Sequence, residues 1–393
     1  MIEYFRQQIE EIRESRALRL YGIFLVLIHF VSAYFWRHVP SQMLSSEVST
    51  CWPFFLECNS LKSMFTSTFV SAYSWLYLVF SIIALAGFLF QRIALGYWLL
   101  FAVNIMKYFV LIQDFNLMGN YHYMPFVVSF VYLLIPNKNR FIPFFVVSFY
   151  FAAGTLKLNP EWLSGSALLT NSIFPPKLLE FGLAGVVILE LCLVWLLFVP
   201  KLWVRVSTFV LFVAFHMVSY LWVGYFYPSV MFCLLTIFVL QWAFKETIVK
   251  SRSLVPGIVV LSFFWVCQAA TWVYPGDTAV TGELRTFALN MYDARTSCAG
   301  LFVAEYKNRF IEVNVRRSTV ALRIQCDPIS YWTRARHLCE ELKEDPDFKD
   351  LIFFWSGRRT TDSRHTSHIR IQNFCTQTPT YSSIFPNAWM KHE

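Results

Sequence analysis

The sequence predicts a mainly α protein: a polytopic helical membrane bundle of about nine transmembrane helices, followed by a small C-terminal α+β domain outside the membrane. Three observations carry this reading. Of 393 residues, 56% are hydrophobic and only 15% charged, with 41 phenylalanines among them. Apolar stretches of about 18 or more residues recur along the chain, the length needed to cross roughly 30 Å of hydrocarbon. After about residue 275 the patterning changes to short, strand-like runs.

The spans read, in order, as about 20–36, 68–90, 94–112, 123–135, 142–156, 179–199, 206–223, 228–244 and 254–274. They define a first domain over residues 1–274, and residues 275–393 form the second. The segment before the first span is charged and amphipathic, so that span serves as the insertion signal and no cleavable leader is expected. With a cytoplasmic N-terminus, the loops on that side collect twelve basic residues between Arg6 and Arg252. The opposite side and the spans hold five: Arg37, Lys62, Lys107, Lys157 and Lys177. That asymmetry satisfies the positive-inside rule. An odd number of spans then puts the C-terminal domain outside, in the periplasm for a bacterial inner membrane or in the lumen for the endoplasmic reticulum. The net charge of +8 is therefore largely topological, since residues 275–393 carry 16 Lys+Arg against 14 Asp+Glu. No basic stripe suggests a nucleic-acid partner, and the lipid bilayer is the expected one.

Cysteine placement agrees with this topology. Cys192, Cys233 and Cys267 fall in spans and read as inert packing. Cys51 and Cys58 share the first outer loop, and Cys298, Cys326, Cys339 and Cys375 lie in the outer domain. On an oxidising side these six form up to three disulfides, whose pairing spacing does not decide. No CxxC or HxxxH spacing favours a metal. Within the outer domain, residues 300–306, 309–315, 319–325 and 368–374 read as strands. Asp327-Pro328 opens an amphipathic helix through about Leu342.

The chemistry-bearing residues cluster toward the outer ends of the spans. In FAAGTLKLNPEWLSG, Lys157 precedes Asn159-Pro160, where proline disfavours a further helical turn. It either caps the helix and snorkels to the headgroups, or sits desolvated as a neutral amine able to act as a general base. His122 begins the fourth span in MGNYHYM, and His216 lies within the seventh in FHMVSY. His29 reads as a core histidine bonded to a neighbouring helix. Asp114 reads as an interfacial carboxylate able to pair with Lys107. Trp162 reads as an interfacial anchor. Arg295, in Asp293-Ala294-Arg295, either pairs with Asp293 or faces an anionic substrate.

AGTLKLNPEWLSG resembles the lysine motif of the vitamin K-dependent γ-glutamyl carboxylase family, whose membrane part is the HTTM domain. FHMVSY is similar to the family's Phe-His-Met segment, and TGELRTFALNMYDARTSC to the stretch after the membrane domain in bacterial members. The likeness spans about residues 15–298. It implies that Lys157 deprotonates a reduced naphthoquinone, vitamin K or a menaquinone type. Dioxygen and carbon dioxide would be co-substrates, and a glutamyl peptide or a small molecule the acceptor. The family's Asn-His-x-Tyr-Leu segment reads here Asn120-Tyr121-His122-Tyr123-Met124, so either Tyr121 or His122 takes the histidine's role. Asn120, His216 and Trp162 would then line the quinol pocket, with Arg295 at its mouth. Two other readings stand beside carboxylation: a quinol oxidase or epoxidase without it, and a non-enzymatic scaffold or transporter on the same bundle.

Overall fold

The computed structural model describes residues 2–35, 52, 66–113, 119–166, 174–245, 253–290, 296–313 and 326–392. Arg295, Asp293, Asp114, Cys51, Cys58 and the expected strand 319–325 lie outside the described residues. The N-terminal part is helical: α1 (Ile2–Glu14), α2 (Arg16–Phe35), α3 (Ser67–Leu89), α4 (Ile93–Leu111), α5 (Asn120–Leu134), α6 (Lys138–Leu156) and the short α7 (Pro160–Leu163). It continues with α8 (Pro176–Leu191), a 3-10 segment (Leu193–Phe198), α9 (Leu202–Val223), α10 (Phe226–Phe244) and α11 (Val255–Val273).

Six of these, α2, α3, α4, α9, α10 and α11, are long and apolar enough to cross a membrane. They coincide with six of the nine expected spans. The other three run over α5, α6 and α8, and each departs from a plain apolar helix for a visible reason. Pro125 interrupts the 15-residue α5. α6 opens on Lys138 and Arg140 and carries Pro143. α8 ends after 16 residues, and the chain tightens into the 3-10 segment at Cys192. Outward-facing Trp75, Phe181, Trp203, Val259 and Trp272 are exposed, as expected where lipid rather than water is the neighbour.

Inside the bundle an apolar core joins α2, α4, α5, α6 and α10 through residues such as Tyr21, Tyr97, Tyr132, Phe145 and Leu234. Buried tyrosines within it find backbone acceptors: Tyr97 donates to Leu133 O at 2.6 Å and Tyr132 to Leu18 O at 3.1 Å. A phenol can be buried in an apolar core when its hydroxyl is satisfied in this way.

The C-terminal unit has its own core. Its elements are α12 (Thr278–Thr281), β1 (Thr296–Tyr306), β2 (Arg309–Glu312), α13 (Pro328–Leu342), β3 (Phe348–Arg359), β4 (Thr366–Ile371) and α14 (Phe374–Gln377). The strands make one antiparallel sheet in the order β2-β1-β3-β4. Trp332 of α13 and Phe302, Phe353 and Trp355 of the sheet are buried together, and the rings of Phe302 and Phe353 stack at 5.1 Å. The helix opens as the sequence predicts. Pro328 takes the first turn, and the Asp327 carboxylate accepts from Ile329 N at 2.9 Å, satisfying an otherwise orphaned amide.

β3 is the correction here. It is the strand between β1 and β4, yet the sequence reading assigned no strand to 348–359. Its LIFFW run alternates in burial, with Leu351, Phe353 and Trp355 buried and Ile352 and Phe354 only partly so, but all five side chains are apolar, so the sequence carries no period of two.

Two disulfides, Cys298–Cys326 and Cys339–Cys375, tie this unit, and they fit an oxidising, extracytoplasmic location. The second joins α13 to α14 across 36 residues. Replacing both its cysteines with serine should lower the unit's stability by about 2–4 kcal/mol, read as earlier protease cleavage of residues 326–392 on heating the detergent-solubilised protein. Peptide mapping without reductant should return the two cross-links.

Candidate functional site

Helix α6 ends at Lys157, which occupies its C-cap position. The lysine side chain is buried, and its Nζ forms an ion pair with the Glu190 carboxylate of α8, which is fully buried. A second, longer contact runs from Nζ to Ala153 O at 3.4 Å. Glu190 stands fourteen residues past Pro176 along α8, a rise of about 21 Å. The pair therefore lies at the C-terminal end of α8, far along the helix from its first residue.

Local sequence explains how the two side chains meet. A Cβ at Gly154 would lie 2.9 Å from Leu191 Cδ2 and 3.0 Å from Glu190 Cβ, so only glycine lets α6 and α8 approach this closely. Beyond Lys157 the chain folds back beside α8. Asn159 caps α7 by accepting from Trp162 N at 2.8 Å, and the Trp162 indole donates to Leu183 O at 3.2 Å. Gly165, at φ +67°, closes the turn against Leu179 and Leu183. Trp162 is thus a structural anchor, and its ring also lies 5.2 Å from Lys157 Nζ, where its face favours a cation.

Below the pair, Tyr150 of α6 and His216 of α9 share a hydrogen bond of 2.6 Å between the phenol and Nε2. Both side chains are buried. Tyr150 stands about two turns before Lys157 on the same helix, and so on the same face of it. Among the described residues, Glu190 Oε1 and His216 Nδ1 have no hydrogen-bond partner. Unsatisfied buried polar atoms are costly, and these two belong to one small cluster.

The other nominated residues divide away from it. His122 is buried beside the rings of Tyr121 at 4.8 Å and Phe226 at 5.1 Å. Lys107 of α4 and His29 of α2 are buried as well. His29 bonds Tyr77 at 2.7 Å, the interhelical contact expected of it. Tyr121 packs at 5.1 Å on Phe226. Asn120 exchanges hydrogen bonds with the backbone of Asn290, donating at 3.0 Å and accepting at 3.3 Å. It pins the segment that follows α11 over the bundle, and its amide is taken up in doing so.

No protein-family model, curated protein or solved structure matches this chain. The site therefore rests on its own geometry.

Glu190 is the residue the sequence reading missed. It was visible as the one carboxylate inside an otherwise apolar run, VVILELCLVWLLF, and a carboxylate so placed calls for a cation. The C-terminal unit also reaches this region. Thr361, at the end of β3, hydrogen-bonds the buried Glu161 of α7, and Thr360 meets Ser166 at 2.8 Å. Arg359 bonds Asp277 at 2.6 Å and stands 4.0 Å from Glu161. The tip of the β3–β4 hairpin thus docks on the loop that follows Lys157. Within the C-terminal unit itself a cavity of about 480 Å3 is lined in part by Trp332, Arg336, Lys343, Tyr381 and the Cys339–Cys375 bridge. It contains none of the residues nominated from the sequence.

Proposed function

We propose that this chain is a membrane enzyme of the vitamin K-dependent γ-carboxylase type, in which the Lys157 cluster handles the proton of a reduced naphthoquinone. The N-terminus would be cytoplasmic and the disulfide-tied domain outside. The observation that carries the reading is the buried Lys157–Glu190 pair, in the motif that resembles the family's lysine segment. A site roofed by the outer-domain hairpin and walled by Tyr150, His216 and Trp162 keeps water scarce. Scarce water is what proton abstraction from a weak acid needs, because it preserves the strength of charge interactions. When bound, the naphthoquinol would supply the oxygen-driven strong base, and the acceptor would be a glutamyl peptide or a small molecule. Lys157, Glu190 and His216 would face its hydroxyls. Oxidation or epoxidation without carboxylation uses the same residues.

The test is to supply purified protein with chemically reduced menaquinone or vitamin K and follow epoxide by mass spectrometry. Oxygen-dependent epoxide, reduced at least a hundredfold in Lys157→Ala, is the expected result. Labelled bicarbonate entering a glutamyl peptide then separates carboxylation from oxidation alone.

One observation favours a second reading, proton-coupled transport. Glu190 adds a carboxylate to the charges the sequence reading placed in the spans, and Lys107, Lys157 and Glu190 are all buried. α8 also breaks into a 3-10 segment two residues past Glu190, and interrupted helices with buried charges mark many transporters. Solute uptake into liposomes driven by a proton gradient, without quinol turnover, would select it.

A further inference from the structure

We infer that Glu190, not Lys157, is where the proton of a weakly acidic hydroxyaromatic ligand comes to rest, and that Lys157 stays an ammonium throughout as the counter-charge. The inference rests on the proposed quinol site and assigns the two halves of the pair different work.

The argument is one of charge. Lys157 and Glu190 are in direct contact and both buried. An uncompensated charge in such a place is far costlier than a pair. For Lys157 to be the resting base it must be neutral, and two arrangements allow that. If Glu190 is then ionised, the site holds a lone buried negative charge before any ligand arrives. If Glu190 is protonated, the site is neutral, and transfer to Lys157 leaves an ammonium beside a carboxylic acid. That end state is also what results when the ion pair receives one proton on Glu190. Starting from the ion pair, the proton gained is on the carboxylate in every balanced route.

The step is accordingly simple. The ligand's O–H bond breaks, a new O–H bond forms on Glu190, and the electron pair remains on the ligand oxygen, whose charge the Lys157 ammonium then balances. Net charge in the cluster does not change. The acceptor atom is indicated by geometry: one carboxylate oxygen, Oε2, is held by Lys157, while Oε1 has no partner among the described residues. Tyr150 and His216, themselves bonded to each other, bound the cluster from below and carry no net charge into it when the imidazole is neutral. Trp162 closes it from the side and favours a persistent cation at Lys157.

The two assignments predict opposite results for Glu190→Gln. If Lys157 were the acceptor, removing its carboxylate partner would leave it free to be neutral and basic, and ligand ionisation would survive. If Glu190 is the acceptor, ionisation is lost. A probe with a single hydroxyl, kept under argon, reads this without any quinol turnover: 2-methyl-1-naphthol, added to full-length protein in detergent, changes its absorption when its hydroxyl ionises. The wild-type protein should bind it as the anion. Glu190→Gln should bind only the neutral form, about tenfold or more weakly, and Glu190→Asp should restore the anion in part. Infrared difference spectra of the wild type should show a carboxylic-acid band appearing on binding, absent in Glu190→Gln. Anion bound equally by Glu190→Gln, or no anion in the wild type, overturns the inference. The epoxide assay stands apart from both results: turnover with the probe still ionised in Glu190→Gln keeps the quinol reading and removes only this assignment.

Discussion

Lys157→Met alone should destabilise the protein by about 3–5 kcal/mol, and adding Glu190→Leu should return most of that loss. The single change leaves a carboxylate fully buried among α6, α8 and α9 with no cation beside it, and that uncompensated charge dominates the cost. The second change removes the charge and supplies an apolar side chain where its neighbours are Leu191 and the close-packed face of α6. The pair is therefore expensive to break and cheap to replace, so stability gives little reason to keep it in a lipid-embedded core. Its presence is better explained by what it does with a proton. Unfolding midpoints in mixed detergent–SDS micelles for the two single variants and the double variant would measure the coupling. A double-variant loss equal to the sum of the two single losses would mean that the two charges do not depend on each other.

The division between what the sequence revealed and what it hid follows physical lines. Six spans were legible because a long apolar helix in lipid needs nothing but length and low charge. The start of α13 was legible because Asp327 and Pro328 act locally, within one turn. The depth of Lys157 was not, since a helix that ends inside the bundle and one that ends at its surface share the same Asn-Pro stop. What separates them is the return of residues 160–166 along α8, a tertiary contact. The grouping of histidines was hidden for the same reason. His122 and His216 both sit on apolar helices, and only packing sets the first beside Tyr121 and Phe226 and bonds the second to Tyr150. Asn120 was nominated for a cofactor, whereas its amide is occupied by the backbone of Asn290, 170 residues away. Pairing over that separation leaves no periodic trace.

Gly154 gives the most severe test of whether the motif's small residues serve the ion pair. A single methyl there meets Leu191 Cδ2 at 2.9 Å and Glu190 Cβ at 3.0 Å. The leucine tip can turn away, but the Glu190 Cβ is fixed to its helix, so α8 must move by a few tenths of an ångström. Gly154→Ala should therefore cost about 1–3 kcal/mol, as overpacking in a tight core does. Gly154→Leu cannot be absorbed by one rotamer and should push α6 and α8 apart far enough to separate Nζ from the carboxylate. Its effect on function should then match that of breaking the pair outright, with epoxide formation falling to the Lys157→Ala level while residues 326–392 keep their disulfides and protease resistance. Gly185 and Gly182, about one and two turns before Glu190 on α8, meet nothing within 4 Å, and alanine at either should leave activity unchanged. If Gly154→Leu retained full activity while alanine at those two exposed positions abolished it, close approach of α6 and α8 would have no part in assembling the site.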